Sequence, residues 1–503
     1  MNKTATAILL SLAAPATAQT AEQQTQAAIA RIETLNPKIN AVLALDPSAR
    51  DQARALDRQR KMRGSLFGMP ILIKDNIETA NLPTTAGSLA LATNIALRDA
   101  PIIARLRTSG AIILGKTNLS EWANFRSSAS ISGWSAVGGQ TRNPHALDRN
   151  PCGSSSGSGA AVAAGMVDAA IGTETNGSIT CPASVAGIVG LKPTVGLVSR
   201  SQIIPISASQ DTAGPMARDV ATAALILTAI AGTDPADPAT AEADQHRTDY
   251  SAGLAKASLK GVRIGVLRFA TGWSPPVDAA FSEALALLTR EGAILVEIEK
   301  GPNNAAIGKA EFLVLLTEFK AGLNAYLATT PASVKTRTLA DVIAFNSATP
   351  RELALFGQDT LIKAEATKGL ADPGYQQARA LSLRLAGPEG IDAMLAAQKV
   401  EILLSPTAPA AWKIDSVNGD QAPFGGAGGL AAVAGTPHLT VPMGHRFGLP
   451  MGLSFLGPKW SEARLLALGA AYERARGPLP PPSLVASVET QSDVAHLLAP
   501  APN

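Results

Sequence analysis

Apolar and polar positions change period repeatedly along this chain, and the changes mark out its elements. AEQQTQAAIARIETLNP (21 to 37) has an amphipathic helical pattern. MPILIK (69 to 74) is a short apolar run suited to a buried strand. APIIARLRTSG (100 to 110) follows as a helix with one apolar face and a glycine stop, then AIILGKT (111 to 117) as a second strand. The rhythm returns in GVRIGVLRF (261 to 269), PPVDAAFSEALALLTREGA (275 to 293) and ILVEIE (294 to 299), read as strand, helix and strand. VEILLSPT (400 to 407), HLTVPM (438 to 443) and MGLSFLG (451 to 457) add strands, SEARLLALGAAYERAR (461 to 476) adds a helix, and GPLPPPS (477 to 483) marks an irregular tail.

Strands alternating with helices predict an α/β fold, with a central mixed, largely parallel β-sheet covered by helices on both faces. The helical stretch from about 303 to 397 reads as an elaboration of one large domain, because strands lie on both sides of it. The expected boundaries are 1–18 for an export signal, 19–485 for the domain and 486–503 for a C-terminal tail.

Composition narrows the function more than the fold. Of 503 residues, 46% are hydrophobic and 17% charged, a globular balance, and 43 Lys and Arg against 40 Asp and Glu give a net charge of only +3. The basic residues are scattered, so no nucleic-acid partner is expected. The first twenty residues carry Lys3, an acid-free apolar stretch too short to span a bilayer, and Ala16-Thr17-Ala18 as a small-residue cleavage site. A periplasmic or secreted mature protein follows, without a membrane anchor. The two cysteines, Cys152 and Cys181, do not make a scaffold, and the expectation is two free, buried thiols, although export permits a disulfide. The five histidines show no ligand spacing, and no metal or cofactor is expected.

Chemistry concentrates in two Ser/Gly segments. CGSSSGSG (152 to 159) has linker composition, but the small apolar residues that follow suit a closely packed helix and strand. Gly153-Ser154-Ser155-Ser156-Gly157 also matches GxSxG, which would make Ser155 a nucleophile with His438 or His445 as base. GSGAAV lacks the third glycine of a dinucleotide fingerprint. GTETNGSIT (172 to 180) sets Ser178 among Thr, Asn and Gly with no histidine nearby. Pro182 is expected to start a short helix just after it. A lysine is the remaining candidate base, and Lys74 ends a run that should be buried. It is either a strand-end lysine reaching water or a desolvated amine held near neutrality. Spacing alone leaves both readings open.

Lys74 in GMPILIKDNIET, the cluster CGSSSGSGAA, and Ser178 in GTETNGSITCPAS followed by GIVGLKPTVGLVSR together resemble the amidase signature family. The intervals fit: 80 residues from Lys74 to Ser154, and 24 from Ser154 to Ser178. NLSEWANFR, GGQTRNP, SQDTAGPMARDVATAA and GLPMGLSFLG extend the likeness over most of the chain. SEWANFR, SGWSA and CGSSSGS are most similar to bacterial peptide amidases, which remove the C-terminal amide of peptides. The resemblance implies a Lys, cis-Ser, Ser triad: Ser178 as nucleophile, Ser154 as the bridging serine after a cis peptide bond, and Lys74 as ultimate base.

It also implies an oxyanion hole from the backbone of Thr175, Asn176, Gly177 and Ser178, a small-molecule or peptide amide substrate, and a monomer. Ser128, Trp122 and Asn124 become candidate substrate contacts, with packing or capping as the alternative for each and for Trp134. Two departures from the commonest pattern, CGSSSGS for GGSSGG and Thr175-Asn176 for a hydrophobic residue and glycine, leave the triad intact and bear on pocket shape. The rival readings are a component of a tRNA amidotransferase, a non-catalytic periplasmic binding protein, and a hydrolase of other small amides or esters.

Overall fold

Runs rich in Val, Ile and Leu build thirteen strands among the residues described by the computed structural model, which are 19–59, 64–423 and 425–500. They are β1 (Val42–Leu45), β2 (Pro70–Lys74), β3 (Ile112–Thr117), β4 (Trp134–Ser135), β5 (Gly139–Gln140), β6 (Ala169–Glu174) and β7 (Val189–Lys192). β8 (Thr212–Ala217), β9 (Arg263–Leu267), β10 (Ile294–Ile298), β11 (Ile402–Pro406), β12 (His438–Arg446) and β13 (Leu449–Leu456) complete the set. The export segment expected at 1–18 lies outside the described residues.

β4 and β5 form a separate hairpin, and the other eleven strands form one sheet in the order β1-β3-β2-β6-β8-β7-β12-β13-β11-β9-β10. The sheet is mixed, as the alternation predicts, but its parallel pairs are confined to two flanks, β3-β2-β6 and β11-β9-β10. The centre is antiparallel, which corrects the expectation of a largely parallel sheet. One of these pairs has a local cause: Phe447 and Gly448 both take positive φ, the turn that folds β12 back on β13 as a hairpin rather than through a crossover helix.

Alternation along β2 shows how the sheet separates two cores. Ile71 and Ile73 enter the largest cluster, packed with residues of helices Pro101–Thr108, Val220–Ile230 and Pro275–Arg290. Leu72 points the other way, into a cluster with helices Ala21–Ile39 and Ser156–Ala163. Side chains two apart on a strand share a face, so Lys74 follows Leu72 toward the helix that begins just after Ser154. Each fully buried aliphatic side chain contributes roughly 1.5–3 kcal/mol, which makes this register strongly specified.

AIILGKT supplies β3, with Lys116 wholly buried beside Asp75. The region after residue 303 is helical, and its first helix, Asn304–Ala328, reaches the candidate site. The tail is not irregular throughout: Leu147 and Asp148 donate backbone hydrogen bonds to Val485 and Ala486, and Ser492–Leu498 is a helix.

Candidate active site

β3, β2 and β6 run parallel and end at one edge of the sheet, where open α/β sheets bind ligands. β2 ends in Lys74. β6 ends in Glu174, and the loop 175–178 leads into helix Thr180–Ala186, two residues earlier than Pro182 suggests. The Glu174 carboxylate folds that loop back by accepting from the backbone N–H of Ile179 (2.8 Å) and Thr180 (3.0 Å) at the helix start. Gly177 takes φ +82°, a conformation that disfavours any side chain.

Lys74 and Ser154 meet. The Lys74 amine, wholly buried, lies 2.8 Å from Ser154 Oγ, 2.8 Å from Thr173 Oγ1 and 3.2 Å from the Thr173 carbonyl oxygen. Burial pushes its pKa down to about 7, against the opposing pull of Asp211 and Glu174. No carboxylate forms an ion pair with it among the described residues. The peptide bond between Gly153 and Ser154 is cis. A methyl on Gly153 would collide with Ser120 Oγ, so the close approach of the two segments requires glycine.

Ser154 and Ser178 line one cavity together with Thr173 and Thr175. The two serine segments are tied by the Ser155 N–H donating to the Ser178 carbonyl oxygen (3.1 Å) and by a Cys152–Cys181 disulfide with Cα atoms 6.0 Å apart. The disulfide corrects the expectation of free thiols. Twenty-nine residues separate the two cysteines, but β6 returns the chain to its starting edge and brings them into range.

Ser155 is not a second nucleophile. Its hydroxyl donates to the Thr173 carbonyl oxygen (3.1 Å) and accepts from the Thr173 N–H (3.2 Å), which fixes the end of β6. Neither proposed base approaches it: His438 is buried against Ser454 Oγ (2.7 Å) with its pKa lowered to about 4 by burial, and His445 lies near the tip of the β12-β13 hairpin.

Among the described residues no acceptor takes the backbone N–H of Asn176, Gly177 or Ser178, so these donors remain free for a ligand oxygen. The side chains around them are engaged. Thr175 Oγ1 donates to Asp211 (2.6 Å), whose pKa burial raises to about 6, and Asn176 Nδ2 donates to Glu311 (2.8 Å) on helix Asn304–Ala328.

The suggested pocket residues separate. Asn124 lines a smaller cavity of about 290 Å³ with Gly153, Asn176 and Gly177, and donates to Ser132 Oγ (2.9 Å). Trp122 is packing: it is 2% exposed, in a cluster with Phe125 and Phe319, and its neighbour Ala123 lines the larger cavity instead. Ser128 is exposed and lines neither cavity, with its N–H donated to Asp359 (3.0 Å). Trp134 packs edge-on to Phe356 beside the buried Arg126. Thr173 and Asp211 are the residues that sequence reading missed. Only the family-like segments around them pointed there.

The family model for amidases matches residues 23–466. The chain belongs to the amidase signature family. A native peptide amidase from Stenotrophomonas maltophilia, solved by X-ray crystallography, is 52% identical, with a TM-score of 0.86 over 92% of this chain and 95% of that one. A probable amidase of Arabidopsis thaliana is 38% identical over 93% of this chain and 89% of its own length. A glutamyl-tRNA(Gln) amidotransferase polypeptide from Roseiflexus castenholzii is 36% identical over 90% of this chain and 91% of its own length. This amidase is an amide-cleaving hydrolase built on a single large α/β domain.

Proposed function

We propose that the amidase hydrolyses the C-terminal amide of peptides through a Lys74–Ser154–Ser178 relay. The observation that carries the relay is a buried amine 2.8 Å from a serine hydroxyl, with a pKa brought to about 7. A neutral amine has two N–H groups and one lone pair. With the N–H groups directed at the two oxygens of Thr173, the lone pair faces Ser154.

Lys74 then accepts the Ser154 proton as Ser154 accepts that of Ser178. Ser178 Oγ attacks the amide carbon, and the free N–H groups of the 176–178 turn receive the oxyanion. One such donor is worth roughly 2.7–4 kcal/mol of transition-state stabilisation. The proton returns through Ser154 to the leaving nitrogen, ammonia departs, and water resolves the acyl-enzyme by the same relay. The peptide substrate class rests on the 52% identity to a peptide amidase and on the resemblance of the SEWANFR and CGSSSGS segments to bacterial peptide amidases.

Export fits the same picture, because a disulfide beside the site persists in an oxidising compartment. The test is ammonia release across peptide amides, free amino-acid amides, fatty amides and esters, with an acylating probe on wild type and Ser178→Ala. Preferred turnover of peptide amides and labelling lost in Ser178→Ala are expected. Labelling that persists in the variant would remove Ser178 from the mechanism.

A further inference from the structure

Backbone N–H groups stabilise an oxyanion best when they are aimed before the charge develops, and the 176–178 turn does little to aim its own. Its three N–H groups have no acceptor among the described residues. Apart from its chain neighbours, no atom lies within 4 Å of where a Cβ on Gly177 would sit, so packing does not confine the turn at its middle. The turn is held at its ends instead. On the helix side, Glu174 accepts from the N–H groups of Ile179 and Thr180, and the Ser178 carbonyl oxygen accepts from the Ser155 N–H. On the strand side, a tie runs to a distant helix.

Glu311 lies on helix Asn304–Ala328 and is 9% exposed. No basic side chain forms an ion pair with it among the described residues, and burial raises its pKa against the pull of two hydrogen bonds. One oxygen receives both: Oε1 accepts from Gln210 Nε2 (2.9 Å) and from Asn176 Nδ2 (2.8 Å). Gln210, itself buried, also donates to the Thr175 carbonyl oxygen (3.3 Å). That carbonyl and the Asn176 N–H belong to one planar peptide group and point in opposite directions, so holding the oxygen sets the direction of the first N–H of the turn. Glu318, further along the same helix, accepts from Ser207 Oγ (2.6 Å) and the Ser209 N–H (2.9 Å), which docks the helix on the segment that carries Gln210.

Resting on the oxyanion turn of the proposed relay, we infer that Glu311 is a positioning residue for amide hydrolysis, aiming the Asn176 N–H at the developing oxyanion through the amides of Gln210 and Asn176. Glu311 lines neither cavity, so it acts through those two amides and not on the substrate.

The experiment compares wild type, Glu311→Ala, Glu311→Gln, Asn176→Ala and the double alanine variant. It reads kcat and KM on one peptide amide, and inhibition by a peptidyl aldehyde and by the matching alcohol. The aldehyde adds Ser178 Oγ to its carbonyl carbon and leaves its oxygen in the turn, whereas the alcohol has no carbonyl to attack. Losing an oxyanion donor outright costs about 10²- to 10³-fold in kcat, and a donor left in place without its aim costs part of that. We expect Glu311→Ala to lower kcat and weaken the aldehyde about 30-fold each, with KM and the alcohol within about twofold of wild type. Glu311→Gln keeps an accepting oxygen in the same place and should stay within about threefold of wild type on every readout. Asn176→Ala removes one donor from the exposed turn without disturbing the helix; about tenfold is expected on kcat and on the aldehyde, and the double variant should be no slower than Glu311→Ala. An unchanged kcat in either alanine variant, aldehyde and alcohol weakened alike, or a Glu311→Gln variant as slow as Glu311→Ala would overturn the inference and leave the relay standing. An aldehyde that binds the wild type no more tightly than the alcohol would take down the relay reading itself.

Discussion

Lys74 and Lys116 stand on neighbouring parallel strands, are both wholly inaccessible to solvent, and have opposite chemistry. Lys116 lies 3.5 Å from the buried Asp75 carboxylate and donates to the Ile77 carbonyl oxygen (2.6 Å) and Thr84 Oγ1 (3.0 Å). Burial lowers its pKa and raises that of Asp75, while each partner's charge opposes the shift in the other. Lys74 has hydroxyls and a carbonyl where Lys116 has a carboxylate, and its pKa falls to about 7. Burial alone does not make a base. In the proposed relay, the missing counter-ion and the serine beside the amine supply the difference.

The comparison breaks most visibly at Lys74. Lys74→Met should cost about 10²- to 10⁴-fold in kcat/KM, the range for a general base, with the melting temperature unchanged or higher. Steady-state kinetics and a thermal scan on one preparation read both. Lys116→Met should do the reverse. Asp75 is left buried without its cation, at a cost of roughly 3–5 kcal/mol, and Lys116→Met combined with Asp75→Asn should recover much of that loss in urea unfolding. An inactive but stable Lys116→Met would erase the distinction.

Thr173→Val sharpens the comparison at smaller scale. Without Oγ1 the ammonium form of Lys74 loses an acceptor, so its pKa should fall further, and the lone pair loses one of the contacts that orient it. We expect kcat to fall about tenfold, equivalent to ~1.4 kcal/mol, with the acid limb of the pH profile displaced to lower pH and Thr173→Ser restoring both. A lower rate with an unmoved acid limb would reduce Thr173 to packing.

Local sequence marks Lys74 because a charged residue terminates Ile71-Leu72-Ile73, and it marks Ser178 because Asn-Gly precedes a helix start. It does not separate Ser154 from Ser155. That distinction rests on where β6 delivers the Thr173 backbone, a tertiary fact with no local signature. Asp211 and Glu311 reach the 175–178 loop from β8's approach and from helix Asn304–Ala328, so the stretch read as an elaboration supplies part of the site. The antiparallel centre escaped because strand periodicity is the same in parallel and antiparallel pairs, and the Phe447-Gly448 turn separates the cases for β12 and β13 alone. The disulfide escaped because cysteine spacing carries no distance.

The account stands on an amine that loses its charge near neutrality. Carbon-13 labelling of lysine Cε, with the Lys74 resonance assigned by its absence in Lys74→Met, follows that titration directly by NMR. The amine should carry its proton at pH 5 and release it with a midpoint of about 7, and acylation of Ser178 should rise through the same interval, reaching about a tenth of its plateau one unit below the midpoint. A resonance that stays protonated beyond pH 9 while acylation proceeds at full rate would contradict it.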